Sequence, residues 1–210
     1  SAGDTVEVRP GSYAADAEVL VARQVTVQSS DGPETTIITG SGSHRCLRVT
    51  SPALLRGFTL TNGLLAAGNG AGLLIEGGAT VQQCRITGNA TFDYGGGVFF
   101  AGPGMLEDSM VIGNRATNDQ GGGVYGRAGV TLRSCLIVSN RSNEGGGVML
   151  YQGGRVENCT IAANESVSFP GGGLRFFQGG GEVVNSIVYD NTAPAPANLG
   201  YYSSDGVVTF

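Results

Sequence analysis

"SNEGGGVMLYQGG", residues 142–154, places three consecutive glycines directly before an apolar stretch. Glycine loses more conformational freedom on ordering than any other residue, so a run of three before a strand is unfavourable by itself. The run nevertheless recurs, beginning at Gly95, Gly121, Gly145 and Gly171, with spacings of 26, 24 and 26 residues. This near-constant spacing indicates an internal repeat, in which the glycines mark a corner that the chain passes once per repeat.

Asparagine residues recur at nearly the same spacing as the glycine clusters. Each cluster is followed by an asparagine after 19, 19, 19 and 20 residues, whereas the stretch from asparagine to the next cluster varies between 5 and 7 residues. Asparagine tolerates turn geometry, and its amide can bond to a copy of itself in a stacked repeat. We therefore predict a structural ladder of five asparagines: Asn89, Asn114, Asn140, Asn164 and Asn191.

Apolar residues within each repeat alternate with a period of two. In one repeat Val81 is followed by Cys84 after three residues and by Ile86 after two more, and the other repeats keep this pattern. A gap of three within an alternation of two indicates strands separated by a bend, and a helical period is absent from the sequence. Coils that stack at the strand spacing of about 4.8 Å would place like residues above one another. The predicted fold class is all-β, a parallel β-helix solenoid of about eight coils of about 25 residues each.

The whole chain, residues 1–210, is interpreted as a single β-helix domain. Residues 1–50 contain irregular coils, residues 51–206 contain the regular repeats, and residues 207–210 resemble the start of a truncated coil. In "ALLRGFTLTNG", residues 53–63, the apolar residues Leu55, Phe58 and Leu60 match the inward positions of later repeats. Asn62 comes one residue too early for the ladder.

The two repeated motifs resemble those of a known superfamily. The pattern [Ile/Val]-x-x-Asn ("ITGN", "VIGN", "IVSN", "IAAN", "VYDN") together with Gly-Gly-Gly-[Val/Leu] is similar to repeats of the right-handed parallel β-helix, or pectin-lyase-like, superfamily. The likeness is greatest to the glycine-rich repeats of bacterial surface proteins and polymorphic outer-membrane proteins. It implies a right-handed β-helix and an extracellular or cell-surface location, in a bacterium. It says little about function, because this fold carries lyases, hydrolases, esterases and adhesins.

The amino-acid composition limits the classes of partner that the protein is expected to bind. The 12 basic residues, all arginine, are scattered, and the net charge is −5, which argues against a nucleic-acid partner. The sequence contains no apolar stretch of 18 residues, so no transmembrane segment is expected. The remaining partners are a polysaccharide, a cell-surface molecule, or copies of the chain itself joined through exposed end coils.

The sequence offers no catalytic residues. The only histidine, His44, is expected in a surface turn without the positioned partner that a general base needs, and the segments typical of this superfamily's enzymes are missing. The favoured interpretation is a non-enzymatic segment of a secreted or cell-surface protein that serves as a rigid stalk, adhesin or self-assembling extracellular scaffold. The alternative is a carbohydrate-active enzyme, a polysaccharide lyase or glycoside hydrolase, acting from the outer groove or the variable loops.

Aromatic residues are the first set of candidate binding residues. The positions after the glycines form an outward column that contains Phe99 and Tyr125, and a neighbouring column contains Tyr151 and Phe177. Exposed rings in rows can stack on sugars or pack against a partner, so these four are predicted to bind a ligand or partner. The alternative is that they only stabilise the sheet or lie beneath a neighbouring segment.

Acidic residues of the variable loops form the second set. Two residues before successive glycine clusters lie Asp93, Asp119 and Asn143, and Glu144 follows the last of these. Their oxygens would suit calcium, and solvated loop acids are the alternative interpretation. No other cofactor is expected.

The four cysteines, Cys46, Cys84, Cys135 and Cys159, are interpreted as small apolar core residues, since three of them share an inward column with serines. Cys135 and Cys159 lie in adjacent repeats, but parallel side chains give an awkward torsion for a disulfide.

Overall fold

The computed structural model describes residues 2–14, 16–202 and 208–209, and the secondary structure in these residues consists of short parallel strands. Strands are numbered in chain order and form four sheets, A to D. Sheet A has nine strands: β1 (Thr5–Val8), β4 (Thr26–Ser29), β7 (Leu54–Arg56), β11 (Thr80–Gln82), β15 (Gly104–Glu107), β19 (Val130–Arg133), β23 (Gly154–Glu157), β27 (Gly181–Val184) and β30 (Val208–Thr209). Sheet B has eight: β2 (Gly11–Ala14), β5 (Thr36–Thr39), β8 (Thr59–Thr61), β12 (Arg85–Thr87), β16 (Met110–Ile112), β20 (Leu136–Val138), β24 (Thr160–Ala162) and β28 (Ile187–Tyr189).

The other two sheets complete each coil. Sheet C has eight strands: β3 (Val19–Val21), β6 (Leu47–Val49), β10 (Leu73–Ile75), β14 (Val98–Phe100), β18 (Val124–Gly126), β22 (Val148–Tyr151), β26 (Leu174–Phe177) and β29 (Leu199–Tyr202). Sheet D has five: β9 (Leu64–Leu65), β13 (Ala90–Thr91), β17 (Arg115–Ala116), β21 (Arg141–Ser142) and β25 (Glu165–Ser166). A regular coil visits the sheets in the order A, B, D, C, and the variable loop and the glycine cluster lie between D and C.

The predicted all-β parallel solenoid is confirmed. Sheets B and C each contain eight strands, which agrees with the prediction of about eight coils. The strand register also aligns the predicted columns, for example Val81 with Leu106 and Ile86 with Val111. Residues 208–209 pair with β27, while residues 207 and 210 lie outside the described residues.

Corners between strands depend on residues with left-handed backbone. The residue between sheets A and B has positive φ in successive coils, as at Gln83, Asp108 and Ser134. The residue directly before each ladder asparagine also has positive φ, as at Ser139. Asn62, which the sequence placed one residue early, occupies this corner position, and Gly63 takes the place of the ladder residue. Asparagine is one of the few residues that adopts this conformation readily, which explains the offset.

The asparagines lie inside the B–D corner and are almost fully buried. Each Nδ2 donates to Oδ1 of the asparagine one coil further along, at 3.0 Å from Asn89 to Asn114 and 3.0 Å from Asn164 to Asn191. Gly63 N donates to Asn89 Oδ1 at one end, and Asn191 Nδ2 donates to Asn198 Oδ1 at the other. The ladder therefore satisfies polar groups that the corner buries.

Two different restrictions place glycine at the D–C corner. Gly145 has φ of 63°, and a Cβ on Gly147 would lie 2.5 Å from the carbonyl oxygen of Gly173 and 2.8 Å from Asn164 Nδ2. Adjacent coils and the asparagine ladder thus approach too closely for any side chain.

The cysteine column does more than fill space. Cys84 N donates to Ser109 Oγ at 3.1 Å, and Cys159 N donates to Ser186 Oγ at 3.0 Å, each one coil away. All four cysteines are buried free thiols. The serines and cysteines therefore form a second, weaker ladder at the A–B corner, a hydrogen-bonding role that the interpretation as core residues did not include.

Candidate functional site

A groove of about 450 Å³ lies on the outer face of sheet C. Its aromatic lining consists of Tyr94, Phe99, Tyr125, Tyr151 and Phe177. Its polar lining consists of Gln120, Arg127, Gln152 and Gln178. The stacked coils arrange these side chains as a grid, in which successive coils supply successive rows.

Three columns of the grid follow from the strand register. The column directly before the glycine clusters contains Tyr94, Gln120, Glu144 and Pro170. The column in the middle of the sheet C strands contains Leu74, Phe99, Tyr125, Met149 and Arg175. The column two residues further on contains Glu76, Ala101, Arg127, Tyr151 and Phe177.

Aromatic rings pack against each other along the groove. The rings of Phe99 and Tyr125 are stacked, with centroids 5.1 Å apart and an interplanar angle of 8°. The Tyr94 ring is tilted against the Tyr125 ring, with a centroid distance of 5.0 Å. The rings of Tyr151 and Phe177 are stacked, with a centroid distance of 6.0 Å. The rings thus form a continuous apolar layer outside sheet C.

The middle column is buried, so the expectation that Phe99 and Tyr125 are exposed is wrong. Their residues are only 3% and 7% accessible, and together with Leu74 and Met149 they form a second hydrophobic cluster outside the lumen. The middle column is buried because side chains of the two flanking columns cover it. Tyr151 and Phe177 are partly buried and form the accessible part of the predicted aromatic set.

A positive charge lies within the aromatic layer. The Arg127 guanidinium lies over the Phe99 ring, 5.7 Å from its centroid, a distance suited to a cation–π contact. Burial raises the pKa of Tyr125 to about 12, and the charge of Arg127 acts in the opposite direction. The Tyr125 hydroxyl therefore stays protonated near neutral pH and is able to donate a hydrogen bond.

A buried ion pair lies at one end of the grid. Arg175 Nε lies 2.6 Å from Glu144 Oε1, and both side chains are 8% exposed. Within the part of the chain that the structure describes, neither of these two atoms has an aligned hydrogen-bond partner, so the contact is ionic. Gln120 Nε2 donates to Glu144 Oε2 at 2.6 Å, and the Arg175 guanidinium lies 5.7 Å from the Phe177 ring centroid. The pair is thus linked to the groove through both of its partners.

The predicted calcium ligands have separate partners. Asp93 Oδ2 accepts from Gly68 N at 2.6 Å, and Asn143 Nδ2 donates to the carbonyl of Asn118 at 2.8 Å. Glu144 is held by Arg175 and Gln120, and Asp119 bonds to Tyr94. Within residues 2–14, 16–202 and 208–209, no group of three or more His, Cys, Asp or Glu side chains is placed to hold a metal ion. Calcium binding stays a prediction without an assembled set of ligands.

A larger apolar cavity, of about 570 Å³, lies at the first coils. It is lined by Val6 and Val27, which belong to the inward column that Leu55 and Val81 continue. The cavity is therefore the lumen at the first coils, where Val6 and Tyr13 in its lining are 49% and 40% accessible.

Sequence reasoning missed the column before the glycines because it counted back two residues from each cluster. Counting back one gives Tyr94, Gln120, Glu144 and Pro170, the residues that flank the groove. It also missed Arg127, which shares a column with Tyr151 and Phe177. The register of sheet C, rather than a motif, brings these residues together.

Comparisons with known proteins agree with this architecture. The family described as "Right handed beta helix region" matches residues 23–204. No curated protein sequence matches the chain significantly. The crystal structure of the deglycosylated pectin methylesterase from Aspergillus niger is similar, with a TM-score of 0.56 and 15% identity over 99% of this chain and 78% of that one. At this identity the likeness concerns the fold. The match over most of its length shows that the chain belongs to the right-handed β-helix family.

Proposed function

We propose that the chain is a non-catalytic segment of a secreted or cell-surface protein, and that it acts as an adhesin which binds a polysaccharide along the outer face of sheet C. The observation that carries this proposal is the composition of the groove. Aromatic rings, glutamine amides and an arginine line it, and the carboxylate of Glu144 at its end is neutralised by Arg175. Rings stack on the apolar faces of sugars, while amides and guanidinium groups bind hydroxyl and acidic groups.

The regular stacking of coils supports a long ligand. Tyr151 and Phe177 are register partners, and Gln152 and Gln178 follow them at equivalent positions. The spacing between coils, about 4.8 Å, is close to the length of one sugar residue, so these two adjacent coils present similar groups to two successive sugars. A rigid solenoid needs little ordering on binding, which favours affinity. The fold and the likeness to a pectin methylesterase are compatible with an extracellular setting.

The test is titration calorimetry with polygalacturonic acid, alginate and dextran. Tyr151→Ala should weaken binding of the recognised polysaccharide about tenfold or more, because a stacking ring is lost. Its melting temperature should change little, since Tyr151 lies at the rim. Phe92→Ala is the matched control, since Phe92 is 48% exposed and lies outside the groove. Absence of binding to all three polymers, or equal losses in the two variants, would refute the proposal.

One observation favours a carbohydrate-active enzyme as the second candidate. Burial raises the pKa of Asp119, the nearby charge of Asp93 raises it further, and the hydrogen bond from Tyr94 acts against both. A carboxyl group with a raised pKa beside a second carboxylate is an arrangement used by general acids in glycoside hydrolysis. Tyr94 lines the groove, which places Asp119 at its border.

This candidate is tested by incubating the same polysaccharides with the protein and measuring both reducing ends and absorbance of unsaturated products. Turnover that Asp119→Asn abolishes and Asp31→Asn leaves intact would establish the enzyme. Asp31 is the control because it is an exposed carboxylate far from the groove in the sequence and in the coils. Absence of turnover, or turnover that persists in Asp119→Asn, would eliminate this role for Asp119.

A further inference from the structure

The outer face of sheet B carries an apolar strip. Strands β16, β20 and β28 present six large apolar side chains outward: Met110, Ile112, Leu136, Val138, Ile187 and Tyr189. Met110, Ile187 and Tyr189 are 45%, 59% and 54% accessible, although the inward residues between them already fill the lumen. Parallel sheets with apolar residues on both faces are normally covered on both faces.

The strip has a sharp boundary along the solenoid. At β8 and β12 the same outward columns contain Thr59, Thr61, Arg85 and Thr87. Sheet A, by contrast, carries an ion-pair network on its outer face, in which Arg133 contacts Glu107 and Glu157. The patch spans four strands of one sheet, with Thr160 and Ala162 of β24 between the apolar residues of β20 and those of β28. An apolar patch confined in this way to part of one sheet is the kind of surface that marks an interaction site.

Charged side chains border the two long edges of the strip. On the sheet A side lie three carboxylates and one arginine: Glu107, Asp108, Arg133 and Glu157. On the sheet D side lie two arginines and two carboxylates: Arg115, Arg141, Glu165 and Asp190. Arg115 and Arg141 are register neighbours, and Arg141 contacts Glu165 at 3.2 Å. Among the described residues Arg115 has no ion-pair partner, so the sheet D border carries a positive charge at its β17 end, while Asp190 lies at the β28 end.

We infer that this face binds a second copy of the chain, side by side and parallel. A two-fold axis parallel to the solenoid axis would place the two strips face to face, about 10 Å apart as in packed sheets. The same axis would set the acidic sheet A border of each copy against the sheet D border of the other, so that Asp108 of one faces Arg115 of its partner. An antiparallel arrangement would instead oppose like borders.

The size of the strip predicts a reversible dimer. Four strands at about 4.8 Å and three residues at about 3.3 Å give a strip of roughly 19 by 10 Å. This is well below the roughly 800 Å² per partner that standard specific interfaces bury, so the dimer should be weak. Self-association should therefore depend on protein concentration and, through the charged borders, on salt.

Sedimentation equilibrium of the full chain over a range of concentrations tests this inference. The expected result is a monomer–dimer equilibrium that high salt weakens. Leu136→Glu should raise the dissociation constant about tenfold or more, because it buries a charge in the strip. Thr61→Glu is the matched control, on the same sheet but two strands away from Ile112, and should leave the equilibrium unchanged.

A charge exchange tests the arrangement of the two copies. Arg115→Asp should weaken the dimer, and Arg115→Asp combined with Asp108→Arg should restore it, because the pair is reversed rather than lost. Circular dichroism on each variant verifies the fold. A protein that stays monomeric at all concentrations, including one whose strip binds a different partner, would overturn the inference. So would a dimer that Leu136→Glu does not affect.

Discussion

The side chain of Asn140 donates from Nδ2 to Oδ1 of Asn164 at 3.0 Å, one coil further along the solenoid. The same Oδ1 accepts from the backbone N–H of Asn140 at 2.9 Å. The Oδ1 atom of a ladder asparagine thus accepts hydrogen bonds from both the side-chain amide and the backbone N–H of the neighbouring ladder asparagine. The ladder is a chain of such paired contacts, buried in the B–D corner, where water cannot replace a missing partner.

Replacing Asn140 by alanine should lower the free energy of unfolding by about 3 kcal/mol, because it leaves several buried groups unpaired. The Asn114 backbone N–H and side-chain amide lose their acceptor, and the Val111 carbonyl loses the donor that lies 2.9 Å away. Urea denaturation measures the change. Asn118→Ala, in an exposed loop, is the control and should stay within about 0.5 kcal/mol of the parent. Equal effects at the two positions would remove the ladder as the cause.

Gly147→Ala should destabilise the fold by about 2 kcal/mol or more, since overpacking forces a backbone shift. The new Cβ would lie 2.5 Å from the Gly173 carbonyl oxygen, which belongs to the adjacent coil. Gly102→Ala is the matched control, because a Cβ there meets nothing within 4 Å and its φ is not positive. Thermal unfolding of both variants decides the question, and a Gly147→Ala variant as stable as the parent would contradict the role assigned to this corner.

The fold could be predicted from sequence because its signals are local and repeated. The interval from Gly145 to Gly171 gives the length of a coil, and the alternation around Val156 gives the strands. The offset of one residue at Asn62 also has a physical explanation. Asn62 resembles a ladder asparagine, but it serves the neighbouring corner, where a positive φ favours the same residue type.

The groove could be predicted only in part. Tyr125 alternates with inward residues and so points away from the lumen, but alternation does not reveal whether a second layer covers it. That layer is formed by Tyr94 of the previous coil and by Tyr151 of the next, residues whose distance in the sequence hides their contact. The buried pair of Glu144 and Arg175 is equally invisible, because 31 residues separate its partners.

The ion pair itself leads to a third prediction. Arg175→Met should destabilise the protein by about 3 kcal/mol, because it leaves the buried Glu144 carboxylate without its counter-charge. Combining it with Glu144→Gln removes the uncompensated charge and should recover most of this loss. A double-mutant cycle by urea denaturation measures the coupling, and additive losses would show that the two side chains do not act as a pair.

Stability should also fall in alkaline solution because of the buried thiols. Burial raises the pKa of Cys84 from 9.0 to about 11, and it raises that of Cys46 to about 11 as well. Between about pH 9 and pH 11 the unfolded chain therefore loses these protons while the folded chain keeps them, so the free energy of unfolding decreases as the pH rises. Below about pH 9 the thiols are protonated in both states and contribute no pH dependence.

Cys84→Ser isolates the contribution of one thiol. Ser109 already occupies the equivalent position in the next coil, so serine fits this column and can keep the bond to the Gln82 carbonyl, yet it does not titrate in this range. Urea midpoints measured at several values between about pH 8 and pH 11 should decline less steeply in this variant than in the parent. The decline should not vanish, because Cys46 and Tyr125, whose pKa burial raises to about 12, act in the same direction. Identical pH profiles for variant and parent would show that Cys84 ionises no less readily in the fold than in the unfolded chain.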